Sequence, residues 1–308
     1  MNRVLAERPL EGAASENDPA LRASRARQRR GRWLAHGILL LGVLIFALPI
    51  WITLVGSSHD VNTIGRGEVP LWFGSHAIDN YIAAWERGGS AVRNTRAVPA
   101  GTMLWNSAVM ATLIAAGKIA ISILSAYAVV FFSFPGRMAF FWMIFITLML
   151  PVEVRIIPTF QVVVDLNLTD SMAGLVIPVI ASATATLLFR QFFLTIPDEY
   201  VEAAKIDGAG PLRFFWDVVL PLSRTNIAAL FVILFIYGWN QYLWPLLIIT
   251  DTSLETVVVG LSKMIGRGDA QNEWNAIMAT AILALLPPVA VVILMQRWFV
   301  KGLTETEK

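Results

Sequence analysis

The chain has 308 residues, of which 56% are hydrophobic and only 15% charged, against about 45–50% and about 25% in soluble domains. With a mean hydropathy of +0.63, that imbalance points to a membrane protein and argues against disorder, a fibrous repeat or a disulfide scaffold. The chain has no cysteine, which excludes disulfides, thiolate metal sites and cysteine nucleophiles, and its net charge of +2 is too small to carry meaning except through where the charges sit.

Residues 1–32 lack apolar periodicity and are rich in Arg, Ala, Glu and Pro, so they are expected to form a disordered basic tail facing lipid headgroups. A bilayer core about 30 Å thick needs about 20 mostly apolar residues per helix. Six stretches qualify, at 33–55, 103–132, 138–160, 172–193, 227–249 and 276–300. Because lipid offers no hydrogen-bond partners, such stretches are helical, and no alternating barrel pattern competes with them. The expected fold is therefore an all-α membrane protein with six transmembrane helices. The first span is too long for a signal-peptide core, and Pro49-Ile50-Trp51 stands where small residues would mark cleavage.

Lysine and arginine set the orientation. Arg22, Arg25, Arg27, Arg29, Arg30 and Arg32 crowd the entrance to span one, placing the N-terminus in the cytoplasm, and six crossings return the C-terminal tail, 301–308, to the same side. The connection between spans three and four carries Asp165 and Asp170 and no basic residue, as an outer loop should. The connection between spans four and five carries Lys205, Arg213 and Arg224 and falls inside. In the long outer loop, 56–100, acids and arginines balance. Tyr81 and Trp85, four apart, fit a short amphipathic helix at the membrane surface, and a plain solvated loop fits equally well.

Several polar groups fall inside spans, where a charge costs about 2.5–3.5 kcal/mol on insertion scales. Lys118, mid-span in the second helix, must face the bundle interior, a partner subunit or water; bonding to backbone carbonyls of a neighbouring helix is the structural alternative. Glu153 and Arg155 lie between Pro151 and Pro158, two prolines that invite a kink or an unwound stretch. Trp239, Asn240, Gln241 and Tyr242 form a polar-aromatic cluster in span five, suited to a sugar-like ligand or to hydrogen bonding between helices. Lys118, Glu153, Arg155, Asn240, Gln241 and Tyr242 are thus candidates for a translocation path or gate. Arg190 is expected to snorkel to the cytoplasmic interface, and Pro287-Pro288 to kink span six.

The cytoplasmic connection at 195–224 has its own helix grammar. Thr195 is a candidate cap, Pro197 suits a first turn, and Asp198 and Glu199 complement the positive helix end; Gly208 is a natural stop. A second short helix is expected from Pro211 to just before Pro221. It carries Leu212, Phe214, Phe215, Trp216 and Val219, more apolar surface than a solvated loop should display without a cover. That cover is the bilayer, the rest of the chain or a protein partner.

Glu202-Ala203-Ala204, three residues, Gly208, nine residues, Val218, one residue and Leu220-Pro221 resemble the EAA loop of ABC importer permeases, with Val218 where the family prefers isoleucine. The runs Pro151 to Pro158 and Trp239 to Leu246 resemble the maltose-type carbohydrate subfamily. Within it, the runs Phe141 to Leu150, Ala181 to Thr186 and Phe235 to Asp251 are similar to the second permease subunit of sn-glycerol-3-phosphate importers. The resemblance extends from the first span to the C-terminus.

It implies half of a heterodimeric pore, completed by a second permease subunit, energised by an ATP-binding cassette ATPase dimer and fed by an extracytoplasmic solute-binding protein. Glu202, Ala203, Ala204, Asp207, Gly208, Phe214, Phe215, Leu220 and Pro221 are then the residues that couple to the ATPase. The solute is a polyol phosphate or phosphodiester, for which Lys118 and Arg155 are electrostatically suited. A neutral sugar or oligosaccharide importer is the alternative, and an ion-coupled secondary transporter a more distant one. The chain has no phosphate-gripping glycine loop: Gly117-Lys118 lacks the preceding glycine. ATP and Mg²⁺ are accordingly expected on the partner ATPase, with no cofactor, metal or nucleic acid on this chain. His36, His59 and His76 read as interfacial or solvated, and no catalytic constellation is visible. The expected location is the cell membrane.

Overall fold

The computed structural model describes residues 19–68, 70–88, 98–147, 152–265 and 272–304, with the side chains of 19–30, 152–153 and 299–304 outside the description. Most of the expected basic tail and the last four residues therefore lie outside it. Among the described residues every regular element is a helix. The chain divides into two compact units, α1 as far as Ile52 and the described residues from Thr53 onward.

Helix α1 spans Pro19–Gly56, so it begins well inside the segment expected to be a disordered tail, and it tolerates Pro49 in its interior. Its stretch Gly31–Gly56 is long and apolar enough to cross a membrane.

The second unit opens with α2 (Val61–Gly65) and α3 (Ala77–Arg87). The Asp60 carboxylate caps α2, accepting from the Asn62 amide and the Thr63 hydroxyl. These bonds, the Thr63 hydroxyl first, hold its pKa below the usual carboxylate value. The amphipathic helix expected around Tyr81 and Trp85 is α3, and it packs on the last helix of the chain instead of lying free. Asn80 is its anchor, donating to the carbonyls of Ser57 and His59 at 2.8 Å each and accepting from Asn275 at 2.9 Å.

Helix α4 (Ala100–Phe131) is the axis of the unit. It packs against α8 (Ala183–Phe193) and α12 (Arg224–Trp239), and α12 in turn packs against α15 (Trp274–Thr304). Small residues make this possible: Ala111, Ala115 and Ala126 are fully buried on α4. A Cβ added at Gly238 of α12 would lie 2.9 Å from the Cα of Ala111, so the two backbones nearly touch.

Within the stretch 138–160 the described residues form α5 (Arg137–Ile146) and α6 (Val152–Asp165), and Pro158 sits inside α6 without unwinding it; two other expected spans are interrupted. The stretch 172–193 is α7 (Met172–Val176), a 3₁₀ turn at Ile177–Val179 and α8, bent by 50°. Ser182 caps α8, and its carbonyl accepts from Ser122 and Thr186, which satisfies the backbone at the bend. The stretch 227–249 breaks after Trp239 and resumes as α13 (Leu243–Ile248), where Pro245 cannot donate the helical bond to the Gln241 carbonyl. By contrast α15 runs unbroken through Pro287 and Pro288, because losing two amide donors is tolerable in an apolar helix.

Counted by length and composition, three described helices are able to cross a membrane, or five if each bent pair is one span; the second bent pair joins Pro211–Leu222 to Arg224–Trp239. After α13, Asp251 caps a 3₁₀ turn at Thr252–Leu254 before α14 (Val257–Met264). This segment lies across α4, where Asn106 donates to the Ser253 and Glu255 carbonyls and the Ser107 hydroxyl accepts from the Val257 amide.

Candidate functional site

The loop at 195–224 is ordered and begins with α9 (Asp198–Ile206). Pro197 occupies the cap position, and Asp198 and Glu199 fill the first turn, where their charge complements the helix dipole. Thr195 does not cap α9: its hydroxyl donates to the Phe192 carbonyl at 2.7 Å and closes α8 instead. Gly208 ends α9 at φ +69°, with its amide on the Lys205 carbonyl and the Ala209 amide on that of Ala204. That Schellman geometry needs a left-handed residue, and glycine supplies it without a Cβ penalty.

The second arm starts at Pro211 with α10 (Pro211–Phe214) and does not stop before Pro221. A π turn over Phe215–Val219 carries it into α11 (Leu220–Leu222), with the Leu220 amide on the Phe215 carbonyl. The widened turn accommodates a proline that has no amide to donate.

The apolar residues of this arm divide into two sets. Phe214, Phe215 and Val219 are buried in the chain's own core. The Phe215 ring lies 5.1 Å from Tyr127, and the Phe214 ring 5.3 Å from Phe131, which itself meets Phe193 at 5.8 Å. The Tyr127 hydroxyl donates to the Pro211 carbonyl at 2.7 Å. Phe214 and Phe215, expected among the coupling residues, therefore lie beneath the loop and support its exposed face from within. Leu220 and Pro221 are half-buried, and Ala204 packs inward. Glu202, Ala203, Asp207 and Gly208 are exposed on the outer face, joined by Ile206 at 86%, Leu212 at 75% and Trp216 at 62% exposure.

The candidate path residues scatter differently. Lys118 is 7% exposed and points into a cavity of about 100 Å³ whose lining also includes Arg155, Thr159, Tyr237, Gln241 and Trp244. Its ammonium sits 4.4 Å from the centre of the Tyr237 ring, an arrangement that suits a cation taken out of water. Gln241 donates to the Tyr237 carbonyl at 3.3 Å and Trp244 to the Gly174 carbonyl at 3.2 Å, so the break after α12 is tied to both neighbours. Asn240 is exposed and outside this lining; Tyr242 turns away to share a 3.1 Å hydrogen bond with Ser262. The Glu153 side chain lies outside the described residues.

Tyr237, Thr159 and Trp244 were not singled out in the sequence. The available signal was Tyr237 one helical turn before Gln241, but nothing in the sequence places that turn against Lys118. Arg190 does not snorkel freely: its guanidinium lies 4.4 Å from the Phe141 ring centre, with Nε buried and unpartnered.

Among the described residues no cluster of histidines, aspartates or glutamates is arranged to hold a metal. His36 and His59 instead bond the carbonyls of Arg32 and Trp72.

A helical bundle with a docked two-helix loop defines a membrane permease subunit, and comparison with known proteins identifies the family. Residues 118–305, which carry both the loop and the cavity, match the family described as binding-protein-dependent transport system inner membrane component. The chain belongs to that family and is a multi-pass membrane protein.

It is 60% identical over 277 residues to the sn-glycerol-3-phosphate transport system permease protein UgpE of Agrobacterium fabrum, covering 90% of this chain and 97% of that protein. Proteins of the same name from Brucella melitensis and Yersinia enterocolitica are 59% and 57% identical, each covering 89% of this chain and 96% of its own length. Among solved structures, a chain of a bacterial ABC transporter involved in the import of the acidic polysaccharide alginate superposes with a TM-score of 0.75 at 21% identity. The match covers 89% of this chain and 98% of that one, a likeness of fold.

Proposed function

We propose that the protein is one of two permease subunits of an ABC importer for sn-glycerol 3-phosphate or a closely related polyol phosphate or phosphodiester. The observation that carries this reading is the set of relatives 57–60% identical over about nine-tenths of the chain, all bearing the same transport name. A second, different permease subunit completes the pore, and an extracytoplasmic solute-binding protein delivers the solute.

In this reading the chain crosses the membrane six times, with α5 and α6 in one span, α7–α8 and α12–α13 as two broken spans and both termini in the cytoplasm. Broken helices suit a transporter, since irregular backbone at membrane depth is tolerated where it lines a cavity. The ATPase docks on the outer face of the loop at 195–224, over Glu202, Ala203, Asp207 and Gly208, with Ile206, Leu212 and Trp216 as the apolar contact. Nucleotide and Mg²⁺ belong to that ATPase, and the membrane chain hydrolyses nothing.

The test is uptake into proteoliposomes holding both permease subunits and the ATPase, with loaded binding protein outside and ATP trapped inside. ATP-dependent accumulation of glycerol 3-phosphate, and none of a disaccharide, is expected; the opposite preference would sink the substrate assignment. Docking is tested by Gly208→Asp, which is expected to release the ATPase on copurification while the membrane subunits stay paired. Full retention of the ATPase would refute docking at Gly208.

A further inference from the structure

The cavity beside α4 carries an assignment of its own. Among the described residues its lining holds two cationic side chains, Lys118 and Arg155, and no carboxylate. Among the described residues neither has an ion-pair partner, since the only pairs there are Arg213–Asp217 and Lys263–Glu255. Lys118 is more than nine-tenths buried, and the contact found for its ammonium is the face of the Tyr237 ring. A ring face attracts a cation but accepts none of the three N–H bonds an ammonium donates. An ammonium at the cavity wall, on an otherwise buried lysine, with no hydrogen-bond acceptor among the described residues and a second cation in the same lining, is an arrangement that an anion with several oxygens would complete.

The rest of the lining adds selectivity. Gln241 commits one amide donor to the Tyr237 carbonyl and keeps its carbonyl oxygen for a ligand. Thr159 donates its hydroxyl to the Arg155 carbonyl at 2.7 Å and keeps its lone pairs. Both are then acceptors, suited to the hydroxyl groups of a short polyol.

We propose that this cavity is a transit site on this subunit for the phosphate group of the solute, with Lys118 and Arg155 as its ligands and Tyr237 as the ring that holds Lys118 in place. The proposal rests on the phosphate-ester reading above. It assigns solute recognition within the membrane to this chain as well as to the binding protein outside.

The experiment compares Lys118→Gln, Lys118→Arg and Arg155→Gln in the full importer complex reconstituted with its binding protein. The probe is radiolabelled glycerol 3-phosphate at a subsaturating concentration. Loss of one charge-assisted contact is expected to slow uptake about tenfold or more in both glutamine variants. Lys118→Arg should remain near the wild type, and ATP hydrolysis stimulated by loaded binding protein should persist in all three.

Unchanged uptake in both glutamine variants, with the complex intact, overturns the proposal. If Lys118→Gln fails to assemble, the exposed Arg155 position decides alone, and normal uptake in Arg155→Gln overturns it. A phospholipid headgroup offers the same oxyanion, so native mass spectrometry of retained lipid runs in parallel. Lipid loss in the variants with unchanged uptake assigns the cavity to lipid and rejects the solute. Wild-type complex that carries a disaccharide and not the phosphate ester refutes the substrate class itself, a failure distinct from variants that behave like the wild type.

Discussion

The Tyr127 hydroxyl bonds the Pro211 carbonyl at 2.7 Å, joining the central helix α4 to the start of the second loop helix. Nine residues earlier on that same helix, Lys118 lines the cavity, so one element carries both the loop contact and part of the cavity wall. Tyr127→Phe keeps the ring contacts and orphans the carbonyl. A loss of about 1 kcal/mol is expected, read as a lower melting temperature of the purified complex and weaker coupling of ATP hydrolysis to uptake.

Phe215 and Trp216 are adjacent, with one buried and the other largely exposed, which separates support from docking. Phe215→Ala opens a cavity under the loop and is expected to cost about 3–5 kcal/mol, seen as early thermal unfolding. Trp216→Ala, at a position 62% exposed, should leave the melting temperature nearly unchanged while reducing ATPase copurification. Equal destabilisation by both would contradict the burial pattern.

Asp170 ties the connection before α7 to the one after α13. Its carboxylate accepts from the Thr250 hydroxyl at 2.6 Å, the Thr250 amide at 2.5 Å and the Asp251 amide at 2.8 Å. These bonds, led by the Thr250 hydroxyl, hold its pKa below the usual value of 3.8. A depressed carboxylate stabilises the folded state fully above its unfolded pKa and loses that contribution as pH falls through the folded value. Hydrogen exchange at the Thr250 and Asp251 amides should therefore stay slow at neutral pH and speed up below about pH 4 beyond the intrinsic trend. Asp170→Ala should expose both amides at every pH.

Gly238 lies where α12 meets α4. Gly238→Ala places a methyl 2.9 Å from the Ala111 Cα, against backbone that cannot yield. Overpacking of this kind costs about 1–3 kcal/mol, and because Tyr237 and Gln241 flank the position, uptake should fall along with the melting temperature. An unchanged melting temperature would mean that the helices are not in contact there.

Residue order alone carried the membrane class, the helical content and the loop with its helix stop at Gly208, because length, hydropathy and a left-handed glycine are local properties. It also carried the EAA pattern, whose spacing reflects a short structure close to the chain. Span continuity was not legible. The breaks at 180–182 and 240–242 depend on Ser122 donating to the Ser182 carbonyl and on Pro245 withholding an amide within α13, and hydropathy is blind to both.

Which face of the loop is outside was equally hidden. Phe214, Phe215, Leu212 and Trp216 look alike in sequence, and Tyr127, Phe131 and Phe193, drawn from two distant helices, decided which of them are buried. The same holds for Lys118. Its mid-span charge was visible from composition, whereas Tyr237, Gln241 and Arg155 came to it only through the near contact of Gly238 with Ala111 and the break after Trp239. Charge placement is written along the chain. Which groups share a cavity is settled only when distant helices pack.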